Sequence, residues 1–266
     1  GDNIAITINE AGTYSFILNG SDRNAPSIMV KPAADKPKFA PTMYIRGHMN
    51  ANGGWNTEDP MLYVGNGKYV TSIYIDSDLE GGNPQFKFAA ENWDLANFGA
   101  SGSSVTLGQA LTLSSIDNGN ITLPITESGD YVFEVDATDP AAPILTVSKE
   151  TLPYAGVAAH LRGFNGDWGT PYSFTYYGAG YYGLDLKATS STLFKIADAS
   201  WGSLNFGMDY TWHKGTFGNT AALTNSGADI NLNVSADTDL RMIMQVTDDS
   251  SNAATLQVIN TAEYDY

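Results

Sequence analysis

The chain has 266 residues, with 29 acidic and 13 basic side chains and a formal net charge of -16 at neutral pH. That charge repels a phosphate backbone and an anionic membrane surface, which argues against nucleic acid as a partner. The chain has no cysteine, which excludes disulfides, a thiol nucleophile and thiolate metal sites. No apolar run approaches the roughly 20 residues of a transmembrane helix, so no membrane insertion is expected.

The first predicted strands lie in residues 1–35. Tyr14, Phe16 and Leu18 recur at every second position, a period that places side chains of one parity on a buried sheet face. Residues 3–30 align without a gap with residues 120–147, which are the end of the next module. We therefore expect residues 1–35 to be the closing strands of a partial upstream module.

Residues 41–150 form the first complete predicted module. The alternation of apolar and polar residues predicts strands near residues 43–47, 68–76, 85–90, 120–125, 129–137 and 142–149. About six or seven strands in roughly 110 residues is typical of an immunoglobulin-like sandwich. The predicted fold class is therefore all-β, with tandem immunoglobulin-like β-sandwich modules.

A second module is predicted at residues 156–260 because the sequence repeats. The string F-K-x-A-x-x-x-W-x-x-x-N-F-G occurs twice with identical spacing, beginning at Phe86 and at Phe194. Residues 53–56 align with 166–169, and a weaker third copy of the closing strands covers residues 230–258. A fixed sequence pattern that recurs after about the length of one domain indicates an array of related modules. A short linker containing Pro153 limits how far the two modules can reorient.

Each repeat places a lysine and an asparagine beside tryptophans. Strand period two buries Phe86 and Phe88 and leaves Lys87 on the opposite face, near the hairpin that carries Trp93. A sugar ring offers an apolar C–H face to an indole and hydroxyls to amide or ammonium groups at its edge. The candidate ligand-binding residues are Trp55, Lys87, Trp93, Asn97, Trp168, Lys195, Trp201, Asn205 and Trp212.

Three of the remaining features have alternative interpretations. Trp212 has no sequence counterpart in the first module and is either an added stacking residue or part of a longer loop folded onto itself. Arg46 and Arg162 are expected to pair with carboxylates rather than with a sugar. The G-x-G-x-x-G string at residues 178–183 is expected to be a hairpin turn, because a strand-like segment follows it where a dinucleotide site requires a helix.

No enzyme, metal site or cofactor is predicted. The three histidines, His48, His160 and His213, show no metal-ligand spacing, and no nucleophile elbow is present. The aspartate-rich loops at residues 136–139 and 237–239 do not fit the spacing of an EF-hand calcium loop. Catalysis is therefore the weakest of the functional interpretations.

The repeated motifs resemble those of starch- and glycogen-binding modules of the early-set immunoglobulin type. Residues 161–201 are similar to accessory modules of bacterial pullulanases and α-amylases. The closing strands around Tyr131 resemble outer-membrane starch-utilisation binding proteins of gut bacteria. The resemblance covers nearly all of residues 41–260. It implies an α-glucan platform in each module, formed by Trp55, Lys87 and Trp93 in the first and by Trp168, Lys195 and Trp201 in the second.

The expected function is non-catalytic binding of an α-glucan polysaccharide or maltooligosaccharide, with two weak sites acting by avidity. The expected partners are an amylolytic enzyme or a surface starch-uptake complex. The expected location is extracellular or on the bacterial cell surface, with the export signal absent from this chain. The alternatives are a structural or adhesive array whose tryptophans pack internally, binding of another polysaccharide such as a β-glucan, or a binding region of a larger enzyme.

Overall fold

A computed structural model describes residues 14–19, 27–32, 42–49, 54–151, 157–234, 237–248 and 253–263. The chain divides into two compact units, Gly1–Asp35 and Lys36–Tyr266. In the smaller unit, β1 (Tyr14–Asn19) pairs antiparallel with β2 (Ser27–Pro32). The predicted strand at residues 3–8 and the linker at Pro153 lie outside the described residues. The origin of this hairpin as the end of an upstream module stays a prediction.

The larger unit contains two sandwich modules, and the described helical segments are three short 3-10 turns, Leu79–Gly82, Phe164–Gly166 and Thr261–Glu263. The strands of the first module are β3 (Met43–Gly47), β4 (Gly54–Gly65), β5 (Lys68–Ile75), β6 (Gln85–Ala89), β7 (Asn97–Phe98), β8 (Ala110–Thr112), β9 (Ile121–Thr122), β10 (Gly129–Asp136) and β11 (Ile144–Lys149). Those of the second are β12 (His160–Arg162), β13 (Tyr172–Ser173), β14 (Thr175–Gly178), β15 (Tyr181–Ala188), β16 (Thr192–Ala197), β17 (Asn205–Gly207), β18 (Thr211–Trp212), β19 (Thr220–Asn225), β20 (Ile230–Leu232), β21 (Thr238–Asp248) and β22 (Ala253–Asn260).

The predicted fold class, all-β with tandem immunoglobulin-like sandwiches, is confirmed. In the first module the strands pair in the order β7-β6-β3-β4-β5-β10-β11-β8, with β9 also on β6. Strand β4 belongs to both layers, because Met61 pairs with β3 whereas Tyr63 pairs with β5. In the described part of the chain, no helix is long and apolar enough to cross a bilayer.

The second module repeats this arrangement around its own core. Its strands pair in the order β13-β12-β16-β17-β19-β22-β21-β15-β14, and β20 pairs with β16 as β9 pairs with β6. The repeat therefore extends from sequence to strand pairing. Phe86 and Phe194, which open the repeated string, are both completely buried, and Phe86 packs edge to face on Phe133 at 5.4 Å.

The G-x-G-x-x-G string forms the hairpin that joins β14 to β15, as expected. Ala179 and Gly180 at its tip have φ angles of 49° and 77°. The first module has Asn66 and Gly67 at the equivalent tip, with φ angles of 52° and 74°. Two consecutive positive φ values are characteristic of the tight turns that connect antiparallel strands.

The two modules pack directly against each other through the sheet faces beside this hairpin. A separate apolar cluster, which we call the inter-module cluster, joins them; it comprises Leu62, Val70, Val132, Ile243 and Ile259, with Val64, Tyr177, Ala179 and Tyr181 packed against it.

Close approach of side chains from the first module makes a glycine necessary at this boundary. Gly178 has a φ of +90°, and a Cβ there would lie 2.9 Å from the Cβ of Ser72 and 3.0 Å from a methyl group of Val132. The boundary is therefore closely packed as well as apolar.

One carboxylate crosses the same boundary. Glu150, which follows the last strand of the first module, accepts hydrogen bonds from the Tyr176 hydroxyl at 2.6 Å and from the Ala179 amide at 3.0 Å. Burial, together with the hydrogen bond to Glu150, raises the pKa of Tyr176 above its ordinary value. The hydroxyl therefore stays protonated and remains a donor to Glu150 at neutral pH.

This contact predicts a stability effect. Replacing Glu150 by alanine leaves the Tyr176 hydroxyl and the Ala179 amide without their shared acceptor, so the free energy of unfolding should fall by about 1–3 kcal/mol. Equilibrium urea denaturation measures the change. The control, Glu58→Ala, removes an exposed carboxylate on β4 and should leave the unfolding curve unchanged. Equal effects of the two substitutions would contradict a stabilising role for the contact.

Candidate functional site

The four repeat tryptophans form two pairs of neighbouring rings, one pair in each module, which we call the tryptophan platforms. The ring centroids of Trp55 and Trp93 lie 6.3 Å apart with their planes inclined by 38°. Those of Trp168 and Trp201 also lie 6.3 Å apart, inclined by 33°. All four are partly exposed, and Trp168 is the most open at 42%. The structure thus brings together the tryptophans that the sequence placed in separate motifs.

The backbone of one tryptophan in each platform is strained. Trp93 and Trp201 have φ angles of 68° and 62°, a region that bulky side chains rarely adopt. Each amide closes a tight turn by donating, at 3.3 Å in both modules, to the carbonyl of Ala90 or Asp198. Such strain persists only where the surrounding structure imposes it, and it is frequent at binding sites. Its occurrence in both modules shows that the loop conformation belongs to the repeat.

A buried arginine supports the first platform from below. The Cζ of Arg46 lies 4.3 Å from the ring centroid of Trp93. Its guanidinium donates to the Trp55 carbonyl at 2.9 Å and to the Ala90 carbonyl at 3.0 Å. One side chain therefore holds both tryptophan-bearing segments in place.

Arg162 has the same role in the second module. Its Cζ lies 4.3 Å from the ring centroid of Trp201, and it donates to the Trp168 carbonyl at 2.7 Å and the Asp198 carbonyl at 2.9 Å. The expectation that these two arginines pair with carboxylates was wrong. The bonds described for Arg46 and Arg162 go to backbone carbonyls, because both side chains are buried beneath the tryptophan-bearing segments and within reach of their carbonyl groups.

The predicted lysines lie beside the same indoles. Lys87 is the cross-strand neighbour of Arg46, and its Nζ lies 5.6 Å from the ring centroid of Trp93. Lys195 repeats this position at 5.9 Å from Trp201. Two cations directly opposite each other in a sheet are unfavourable, and the electron-rich face of an indole compensates part of that repulsion. Partial burial lowers the pKa of Lys87.

The loop of the second platform has an additional support. The buried Asp198 carboxylate accepts hydrogen bonds from the backbone amides of Ser200, Gly202 and Leu204, and from the Ser200 hydroxyl. Desolvation raises the pKa of Asp198, but these hydrogen bonds outweigh it and hold that pKa well below its ordinary value. The first module has Ala90 at this position. The second platform is thus fixed by a charge that the first does not have.

The first platform is instead extended by a histidine. The ring of His48 lies 6.1 Å from that of Trp55 in an edge-on arrangement, and its Nδ1 is 3.7 Å from a carboxylate oxygen of Glu80. The aligned residue of the second module, Phe164, is completely buried in the core. The two platforms therefore share the tryptophan pair, the arginine and the lysine, but they differ in the residues at the edge of the pair.

Asn97 and Asn205 lie on the short strands that follow the tryptophan loops, where they pair with Ala89 and Ala197. Their side-chain oxygens are buried, and no hydrogen-bond partner is found for either among the described residues. Burying an unpaired acceptor costs free energy. That the same arrangement occurs in both modules marks these amides as part of the repeat, but their participation in binding stays a prediction.

Trp212 was wrongly predicted to bind ligand. It is 0% exposed and packs in the core of the second module, with its ring 4.9 Å from that of Tyr210. Strand β18, which carries it, pairs parallel with β20. Val105 occupies the matching place in the first module, since its amide bonds to the partner strand there and its side chain is also buried. Alignment of the two repeats does not reveal this equivalence, because the core position holds tryptophan in one copy and valine in the other.

A scan against protein-family models matches no family, and a search of the curated proteins finds no match. A search of solved structures finds similarity to the crystal structure of SusF from Bacteroides thetaiotaomicron, with 17% sequence identity and a TM-score of 0.32. The alignment covers 89% of this chain and 52% of SusF, so the chain spans about half the length of that protein. The platforms are therefore interpreted from their own geometry.

The Asp198 network predicts a pH-dependent stability. Because the pKa of Asp198 is lowered by folding, its contribution is present above about pH 4, the ordinary pKa, and is lost as the pH falls through the folded pKa. Asp198→Asn should lower the free energy of unfolding by about 1–3 kcal/mol at neutral pH. The difference from the parent protein should shrink below about pH 4.

Urea denaturation at a series of pH values measures the loss of unfolding free energy in Asp198→Asn and how that loss changes with pH. The matched control is Asp94→Asn, which changes an exposed carboxylate next to Trp93 in the corresponding loop of the first module. A stability difference for Asp198→Asn that stays constant from neutral to acidic pH would contradict the network's dependence on charge.

Proposed function

We propose that this chain is a non-catalytic α-glucan-binding protein with one site on each tryptophan platform. The observation that carries the proposal is the repeated geometry: two partly exposed indoles with centroids 6.3 Å apart, supported by a buried arginine and flanked by a lysine, in both modules. Core packing does not explain partly exposed indoles on strained backbone.

The chemistry of the platforms suits a neutral sugar polymer. An indole stacks on the C–H face of a glucosyl ring and contributes about 1 kcal/mol, on the scale of aromatic pairs. Lys87 and Lys195 donate to sugar hydroxyls, which strengthens binding because the donor is charged. Two stacked rings and one ammonium per module give a weak site, which is the expected property of one unit of a multivalent binder.

The inclination of the rings favours a curved glucan. Planes that meet at 33° or 38° cannot both lie flat on a ribbon-like β-linked chain, whereas successive rings of a helical α-linked chain turn with its curvature. The four platform tryptophans are partly exposed, and an open surface of this kind suits recognition without cleavage. We therefore favour starch, glycogen and maltooligosaccharides over β-glucans.

The close contact between the modules supports avidity. The inter-module cluster and the Glu150 hydrogen bonds limit the relative motion of the two platforms, so one bound chain raises the local concentration of the polymer at the second site. A polymer that is too large to enter a cell must be bound outside it. We propose that the protein acts at the bacterial cell surface or extracellularly, with an amylolytic enzyme or starch-uptake complex as its partner.

Alanine substitutions of Trp93 and Trp201 test the proposal. Each single variant should bind about half as many maltoheptaose molecules as the parent chain, because one stacking site is removed while the other module is unchanged. The double variant should lose binding. Isothermal titration measures stoichiometry, and retardation in an amylopectin affinity gel measures polymer binding.

The control is Tyr74→Ala, which removes an exposed aromatic ring of β5 that belongs to neither platform. Its binding should equal that of the parent. Unchanged binding by the double tryptophan variant would refute the proposal, and tighter binding of a soluble β-glucan than of maltoheptaose would refute its preference for α-linked chains.

A further inference from the structure

An open groove lies beside the second tryptophan platform and shares Trp168 with it. The groove has a volume of about 730 Å³, and its lining includes Leu193 of β16, Thr211 of β18, and Asn231 and Asn233 on and after β20. Trp201 and Lys195 do not belong to the lining. The groove is thus a separate surface that meets the platform at one indole.

The position of Trp168 between platform and groove is fixed by its contacts. A Cβ on Gly163 would lie 2.8 Å from two atoms of the six-membered ring of Trp168, so only a glycine lets the indole lie against this backbone. The Thr192 hydroxyl accepts a hydrogen bond from the Asn165 amide at 2.9 Å, which ties the preceding 3-10 turn to β16. The indole and the strand residues therefore keep a defined separation.

The lining chemistry matches a neutral, hydroxylated ligand. In a chain of net charge -16, none of the described residues that line this groove is charged. Asn231 and Asn233 each offer an amide that donates and accepts, and Leu193, 44% exposed, offers an apolar surface. The Ser191 hydroxyl donates to the Asn233 side-chain oxygen at 3.0 Å, which orients that amide. An anionic ligand would find no cation here.

The first module does not repeat this lining. By strand register, the positions of Leu193, Asn231 and Asn233 are occupied there by a glutamine, a threonine and a proline, namely Gln85, Thr122 and Pro124.

The side chain of Gln85 is already engaged, because its Oε1 accepts a hydrogen bond from Asn120 at 3.1 Å. Its backbone carbonyl accepts from the amide of His48 at 2.9 Å, and the ring of His48 lies edge-on to Trp55. The residues at this position beside the first platform therefore differ in chemistry from those that line the groove beside Trp168.

We propose that this groove is an additional subsite that takes further glucosyl units of the chain stacked on Trp168. The inference rests on the proposed function and extends it: the second module recognises a longer stretch of glucan than the first. Its amides bind sugar hydroxyls beyond the platform, and Leu193 packs on a ring face. Chain length is then discriminated by the second module alone.

The test uses the whole chain carrying Trp93→Ala, so that only the second platform binds. In this background, maltoheptaose should bind more tightly than maltotriose. Adding Asn231→Ala and Thr211→Val should weaken maltoheptaose about three- to tenfold per lost hydrogen bond and leave maltotriose unchanged. Isothermal titration with both sugars gives the two affinities. The matched control is Thr122→Ala, at the position of the first module that corresponds to Asn231, and it should change neither.

Two results would overturn the subsite. Equal losses for the short and long sugars would show that the substitutions act through the platform or the fold, and an unchanged maltoheptaose affinity would show that the groove is not used. Failure of the Trp93→Ala chain to bind either sugar would refute the proposed function itself, and the two failures are therefore distinguishable.

Discussion

The platforms depend on one buried interaction, the guanidinium that lies beneath an indole and binds the carbonyls of two separate segments. Arg46 and Arg162 make it in the same way at 4.3 Å from the ring. An arginine in this place has several fixed donors in one plane, so it binds carbonyls of both tryptophan-bearing segments and still presents a flat face to the ring. A lysine offers no such plane. The positions of both tryptophans, and the strained backbone of one of them, follow from this contact.

Around that shared centre the two copies have diverged. The second secures its loop with the Asp198 carboxylate, which accepts several backbone hydrogen bonds, whereas the first has Ala90 and adds His48 at the margin. Burying a carboxylate is unfavourable unless hydrogen bonds compensate, and here they do. The platform geometry is nevertheless the same to within 5° in ring inclination and equal in ring separation. The two modules therefore share the tryptophan pair and the arginine beneath it, and they differ in the residues that secure the loop and border the rings.

The sequence predicted the elements that periodicity and repetition encode. The alternation of Phe86 and Phe88 correctly predicted the inward face of β6, and the repeated string correctly predicted that Lys87 lies near Trp93. The sequence did not predict that the two arginines support the tryptophans, although each arginine is paired with a repeated lysine in the strand register. It also misassigned Trp212, because whether a ring faces core or solvent after a loop depends on a parallel pairing between distant segments.

The glycine hairpin at the module boundary has a consequence for how such proteins are built. Gly178 lets the side chains of Ser72 and Val132 lie against its backbone, and Leu62, Val132 and Ile243 belong to an apolar cluster shared by both sandwiches. Either sandwich alone would therefore expose apolar side chains. A recombination event that transferred a single sandwich to another protein would therefore expose the apolar surface that its partner sandwich covers here. The smallest portable unit of this architecture is therefore the joined pair.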